Sequence, residues 1–425
     1  MEVRDPVYGR IELEANEGHV VAHPWIQRLR DIRQTGFSIF PFPGATHSRY
    51  SHSLGAMCLA GRAFDNATRG WQYSSPRVRQ AYRNVVRLAA MCHDLGHAPF
   101  SHCTEFAMPG VESLGLHSVQ GPRRATHEDY TIAILVNTDL ADLIAREYSF
   151  TAEHVAALVD HRREVPDDFF YDNGLNHRRL LSQLISSELD VDRLDYLVRD
   201  AIHTGTAYGR VDVDWLIGSL SHHVADGQLT LAIHERAIYA FDHFLLGRHH
   251  MFLQVYFHHK SVVLEEHLRR YMEDEGRSWS LPSDLSQYLC VDDASLWTHL
   301  RGTSHPMAQR IVQRRPYERV VERHGSERAA DLKSSADTLS AEGIDAIYSS
   351  STGRLSRYVG TFNAAYQPPI YVLEGLDKHP VERVRTLTEV SGVFGRYADA
   401  RCIGRIYVAP EDVRAARQVL GLPVA

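Results

Sequence analysis

Residues 92–102 read CHDLGHAPFSH, and this stretch decides the fold because a His93-Asp94 pair closes a run of helical periodicity. Just upstream, QAYRNVVRLAAMCH (residues 80–93) places Ala81, Val85, Leu88 and Cys92 at steps of four, three and four, one apolar stripe of a helix. Gly96 stands where such a helix would stop. Alone, a His-Asp pair at a helix end reads as a cap or a surface ion pair. Here His97 and His102 follow it, and His127 opens HEDY further on.

Two other stretches belong with it, HSRYSHSLG (residues 47–55) and DVDRLDYLVRD (residues 190–200). Together they offer His52, His93, Asp94 and Asp192, two imidazoles and two carboxylates on three segments. That donor set suits Mn, Fe, Ni or Zn better than Ca. If such a metal is six-coordinate, four protein ligands leave room for water and a substrate oxygen, as a hydrolytic centre requires. In the last stretch Asp192, Asp195, Tyr196, Arg199 and Asp200 share one helix face, and Leu194, Leu197 and Val198 take the other. Periodicity alone reads the polar face as solvated and ion-paired.

Outward from these motifs, the chain before about residue 330 is mainly helical, with further helices expected over Arg178–Ile202 and Ala240–Met272. Between them an Asp226-Gly227 turn and alternating Leu229, Leu231 and Ile233 predict a small hairpin. The Ser-, Ala- and Gly-rich run Ser334–Ser351 reads as a junction. Beyond it PPIYVLEG and RCIGRIYVAP read as strands flanking a helix around Val381–Val393. The expected architecture is mainly α, a helical core with a small hairpin in residues 1–333 and a small α/β region in residues 334–425.

Composition narrows the partners. The 425 residues are 44% hydrophobic and 23% charged, ordinary for a folded soluble protein. A formal charge of −7 supplies no global field for nucleic acid, which is therefore not an expected partner, and an anionic ligand must be held by a local cluster. MEVRDPVYGR lacks an apolar leader and no later run is long enough for a membrane span, so a cytoplasmic location is expected. Five scattered cysteines without a CxxC pair argue for reduced thiols. The 26 histidines are many for this length, and histidine is the commonest metal ligand.

The chain resembles the HD-domain deoxynucleoside triphosphate triphosphohydrolases, in the branch with the human SAM- and HD-domain enzyme and its bacterial homologues. The motifs that carry this are DPVYGRIEL from Asp5, QRLRDIRQTG, FPGATHSRYSHSLG, HDLGHAPFSH, DVDRLDYLVRD and GRHHMFLQVYFHHK, in matching order. A SAM domain is not expected, because DPVYG begins almost at the first residue.

By matching motif, the resemblance implies a helical HD-domain core with His52, His93, Asp94 and Asp192 as metal ligands. It implies Arg49, Arg193 and Arg248 as phosphate-binding groups, with Arg193 standing where the human enzyme has a lysine. It assigns Tyr196 and Asp200 to the sugar, Gln34 and Asp200 to the 3′-hydroxyl, and Tyr256 to the ring on which deoxyribose packs. Thr35 replaces a Leu beside the sugar and Phe257 a glutamine near the base, so neither strict exclusion of ribonucleotides nor a base preference carries over.

The implied reaction is attack of metal-activated water on the α-phosphorus, with deoxynucleoside and inorganic triphosphate as products and a further Mg ion admissible on the triphosphate. His97, His127 and Arg49 would stabilise the phosphoryl group and His102 would protonate the leaving oxygen, with Glu105 orienting its ring and raising its pKa. Homo-oligomers are expected. Gln27 and Arg30 are kept from the human activator site but Ala22 replaces a guanine-reading Asp, so activity without a guanine nucleotide activator is expected. Two alternatives stand beside this reading: an HD hydrolase of another nucleotide class, and a nucleotide sensor or single-strand nucleic-acid binder.

Overall fold

The first metal-motif helix is set up by Ser75 and Pro76. The Ser75 hydroxyl accepts from the Val78 amide and Pro76 takes the first helical position, starting a helix over Pro76–Cys92. Its Val85, Leu88 and Cys92 are buried, and it packs on the helix Arg49–Ala67. Because the helix ends at Cys92, His93 and Asp94 leave it and turn toward the neighbouring helices. Gly96 serves close approach there: a Cβ would lie 2.0 Å from the His127 carbonyl oxygen and 2.4 Å from the Thr131 amide. The computed structural model describes residues 1–116, 121–165, 167–274, 279–353, 368–375, 383–396 and 401–423.

The single helix expected over Arg178–Ile202 is two, Arg178–Ile185 and Val191–Thr204. Asp190 causes the break, since its carboxylate accepts from the Ser187 and Arg193 amides, each at 2.8 Å, and caps the second helix. Asp192 therefore falls in a first turn. The expected helix Ala240–Met272 is likewise interrupted. Helix Ile238–Met251 runs into a π-helical turn at Phe252–Tyr256, and the chain resumes as helix His259–Asp274. Such turns recur at functional sites, and this one carries Tyr256.

The hairpin forms as the alternation predicts. Leu220–Ala225 pairs antiparallel with Gln228–His234 around Asp226 and Gly227, both at positive φ.

The tail is the expected α/β region, but its elements fall at other positions. The Ser-rich junction is a helix, Ser326–Ala341, followed by a strand, Ala346–Gly353. Hydroxyls of Thr338 and Ser340 bond back to carbonyls four residues earlier, which lets a polar, loop-like composition stay helical. The expected boundary at 333/334 thus falls inside a helix. This helix packs on an antiparallel sheet in the order Glu318–His324, Arg401–Val408, Ala346–Gly353.

Of the helix expected over Val381–Val393, Val381 and Glu382 lie outside the described residues. Arg383–Thr386 is a strand, and two short helices follow it, Leu387–Val390 and Val393–Arg396. Strand Tyr371–Glu374 joins the hairpin in parallel, Ala232 opposite Tyr371 and Ile233 opposite Val372. Ile370, Val372 and Leu387 accordingly enter the main helical core with Phe64, Tyr82 and Phe241. Among the described residues no helix is long and apolar enough to cross a membrane.

Candidate functional site

Three helix ends bring the motif residues together. His52 lies in the first turns of Arg49–Ala67, His93 and Asp94 just past Cys92, and Asp192 in the first turn of Val191–Thr204. His52 Nε2 is 3.3 Å from His93 Nε2, 3.2 Å from Asp192 Oδ1 and 3.5 Å from Asp94 Oδ2. His93 Nε2 is 3.3 Å from Asp94 Oδ1 and 3.4 Å from Asp192 Oδ1.

The other ring nitrogens are occupied. His52 Nδ1 faces Asp195 Oδ2 at 2.7 Å, and His93 Nδ1 faces the Ala90 carbonyl at 2.7 Å. With both Nδ1–H groups donated there, the two Nε2 atoms face each other beside two carboxylates, an arrangement that suits a shared cation. Burial disfavours a charged His52, but its bonds to Asp192 and Asp195 raise its pKa to about 10. The cluster therefore attracts positive charge, and its donor set fits a borderline divalent metal.

Asp195 is not exposed as periodicity suggested. It and Arg199 are fully buried, and Arg199 grips both Asp195 oxygens at 2.8 and 2.9 Å and Asp5 at 2.8 Å. A Cβ at Gly55 would lie 2.0 Å from Asp195 Oδ1, so only glycine lets the two helices approach here.

The cluster opens into a cavity of about 480 Å³. Of the proposed site residues, Gln34, Arg49, His93, Asp94, His97, His102, His127, Asp192, Arg193, Tyr196, Asp200, Arg248 and Tyr256 line it. His52 stands behind the wall and Glu105 behind His102 and His127. A second hollow of about 730 Å³, between Phe106, Pro109 and Trp279, is larger but contains none of these groups.

On one wall Arg49 donates to Asp94 and to Ser101 Oγ, the latter at 2.8 Å. Arg193 pairs with Asp190 at 3.0 Å, and Arg248 lies 3.5 Å from Glu188. On another the Tyr256 hydroxyl donates to Asp200 Oδ2 at 2.7 Å, while His47 Nε2 is 2.6 Å from Asp200 Oδ1. Gln34 Oε1 is buried without a partner among the described residues. Three residues outside the motif-derived set thus complete the site, Asp195, His47 and Ser101. Each lies inside a quoted motif, but no spacing rule marks it.

The three remaining histidines form a stack. His97 and His127 rings are 4.0 Å apart and nearly parallel, and His102 meets both edge-on. Glu105 holds His102 Nδ1 at 3.1 Å and His127 Nδ1 at 2.8 Å. Burial, then Arg49 and His127, push the His97 pKa well down, so it is neutral. Glu105 raises the His102 pKa as expected, yet enclosure by the cleft outweighs it and the net shift is downward. The His102 side chain is nonetheless 66% exposed, so cavity water tempers that shift.

A helical core whose His and Asp side chains converge from three helix ends is the arrangement of an HD domain, here with a cluster that could hold a metal ion. The chain contains an HD domain, matched over residues 49–200, followed by an HD associated region, matched over residues 211–346. An uncharacterized protein of Methanocaldococcus jannaschii is 28% identical over 319 residues, which cover 75% of this chain and 59% of that protein. A protein of Dictyostelium discoideum named as a deoxynucleoside triphosphate triphosphohydrolase SAMHD1 homolog is 33% identical over 207 residues, 48% of this chain and 36% of that one. The chain thus spans under two thirds of either relative. A hypothetical protein from Aquifex aeolicus shares the fold with a TM-score of 0.77 at 26% identity, over 99% of both chains. A phosphohydrolase from Bacteroides thetaiotaomicron shares it with a TM-score of 0.69 at 24% identity, over 96% of this chain and 99% of that one.

Proposed function

We propose that the protein is a metal-dependent triphosphohydrolase that converts a deoxynucleoside triphosphate into deoxynucleoside and inorganic triphosphate. One observation carries this reading: a single cavity holds the His/Asp cluster, three arginines and the Tyr256–Asp200 pair. Those are the separate requirements of a phosphorus centre, a polyanionic chain and a sugar. His52, His93, Asp94 and Asp192 would hold a divalent metal, which when bound supplies Lewis acidity toward a phosphoryl oxygen and toward water.

The chain's own groups do the rest. Arg49, already oriented by Asp94 and Ser101, and Arg193 and Arg248 bind phosphate oxygens and hold them in line. Neutral His97, together with His127, stabilises the phosphoryl group. Glu105 fixes His102 through Nδ1, leaving Nε2 to protonate the departing 5′-oxygen. Asp200, held by His47 and Tyr256, takes the 3′-hydroxyl with Gln34, and the Tyr256 ring packs on deoxyribose. A 2′-hydroxyl against that ring would lose water without gaining a partner.

The test is product analysis with Mn-loaded protein and each of the four dNTPs. Equal amounts of deoxynucleoside and intact triphosphate are expected. Release of pyrophosphate or phosphate, or accumulation of dNDP or dNMP, would overturn the reaction. A cytoplasmic, homo-oligomeric enzyme with dNTPs as its partners completes this reading.

A further inference from the structure

Glu265 is a carboxyl group that the reaction above does not use. It stands on the helix His259–Asp274 and lines the same cavity as Arg49, His102 and Tyr256. Among the described residues its one hydrogen bond comes from the Cys103 thiol, with Sγ 3.5 Å from Oε1. A thiol is a weak donor, and no ion pair reaches the carboxyl among those residues. Burial pushes its pKa up to about 7, with Glu266 adding to the rise and the Cys103 bond and Arg269 opposing it. An enclosed carboxyl so poorly partnered is costly, and on a cavity wall a ligand can complete it.

The rest of the cavity limits what that ligand group can be. The metal cluster, Arg49, Arg193 and Arg248 account for the phosphates, which a carboxylate would repel. Asp200, Tyr256 and Gln34 account for the sugar. Among the described residues Glu265 bonds to no member of either set but to Cys103, whose sulfur would be 2.8 Å from a Cβ on Gly36. Phe252 and Phe257 bring apolar rings to the same cavity. For a substrate anchored by phosphates and sugar, only the base remains to meet this group.

We propose that Glu265 reads the nucleobase and selects guanine, its two oxygens accepting the neighbouring N1–H and N2–H donors. The inference rests on the triphosphohydrolase reading. Guanine alone offers two donors side by side. Adenine and cytosine set one donor beside a ring acceptor, and thymine sets its N–H between two carbonyl oxygens. Two donors on the carboxylate also favour its ionised form, offsetting the effect of burial.

The experiment compares kcat/KM for dGTP, dITP and dTTP in the wild type and in Glu265→Gln. The probe dITP keeps the guanine ring and N1–H but lacks the 2-amino group. The wild type is expected to favour dGTP over dITP by about tenfold or more, the scale of a bidentate base contact, with dTTP lower still. In Glu265→Gln the dGTP/dITP ratio should fall toward one. Equal wild-type use of dGTP and dITP, or an unchanged ratio in the variant, overturns the proposal. Should the variant misfold, the wild-type comparison decides alone. Equal hydrolysis of all substrates removes the role of Glu265 and leaves the hydrolase reading standing, whereas hydrolysis of none removes both.

Discussion

Asp195 Oδ2 lies 2.7 Å from His52 Nδ1, with both side chains wholly buried. The contact fixes which nitrogen of His52 faces the cluster, and Arg199 balances the charge of Asp195 from the other side. Asp195→Asn should weaken metal binding by about 10- to 100-fold, because the neutral amide no longer enforces the ligand tautomer. It should also lower stability by about 3–5 kcal/mol, since Arg199 loses half of its buried counter-charge. Metal titration beside denaturant unfolding separates the two effects. Unchanged metal affinity in a destabilised variant would reduce Asp195 to a structural part.

Asp192→Ala should abolish both bound metal and hydrolysis while the fold survives. Asp192 faces His52 and His93 at 3.2 and 3.4 Å, whereas Leu194 and Leu197 on the same helix hold it to the core. Elemental analysis, circular dichroism and a turnover assay with replenished metal check this. Full turnover would refute the assigned centre.

The clustering of His52, His93, Asp94 and Asp192 was legible in the sequence because each sits near a helix end inside a short motif, where local signals are strongest. The interruptions that aim those ligands were harder to read. Asp190 caps a helix in the middle of a helical pattern, and Phe252–Tyr256 inserts a π turn that leaves the apolar spacing nearly intact. Strand Tyr371–Glu374 was recognisable as a strand, but its partner, the hairpin near residue 233, is far away in sequence. The Asp195–Arg199 pair looked like a solvated face because i, i+4 charge pairing reads alike on a surface and in a core. Glu265 and Asp293 carry no motif and gain meaning only from what they face.

Asp293 should give stability a pH dependence that Asp293→Asn removes. Its carboxylate accepts from the Phe100 amide at 2.8 Å and the Arg33 amide at 3.1 Å, tying together two loops of the site. Burial nevertheless raises its pKa from 3.8 to about 6, against the pull of those bonds and of Arg33. A raised pKa means the folded state holds the proton more tightly than the unfolded one. The contribution is therefore full below about pH 4 and is lost as pH rises through about 6. Unfolding free energies measured across that window should show the wild type losing ground to Asp293→Asn with rising pH. A constant difference would contradict the assignment.

His102 and Glu105 should separate by size and by pH. If His102 supplies the proton to the leaving oxygen, His102→Ala should keep its metal, since His52, His93, Asp94 and Asp192 are untouched. Its turnover should still fall by roughly a hundred to ten thousand, the usual range for a general acid. The cleft lowers the His102 pKa and Glu105 opposes that lowering. The working form is the imidazolium, so wild-type kcat should decline as pH rises through that lowered value. Glu105→Gln removes the opposing charge, so the same decline should begin at lower pH, with a smaller loss at the optimum because the ring is still present. A Glu105→Gln profile superimposable on the wild type would show that Glu105 does not act through His102. Unimpaired turnover in His102→Ala would move the proton donor elsewhere while leaving the metal centre and the products as assigned.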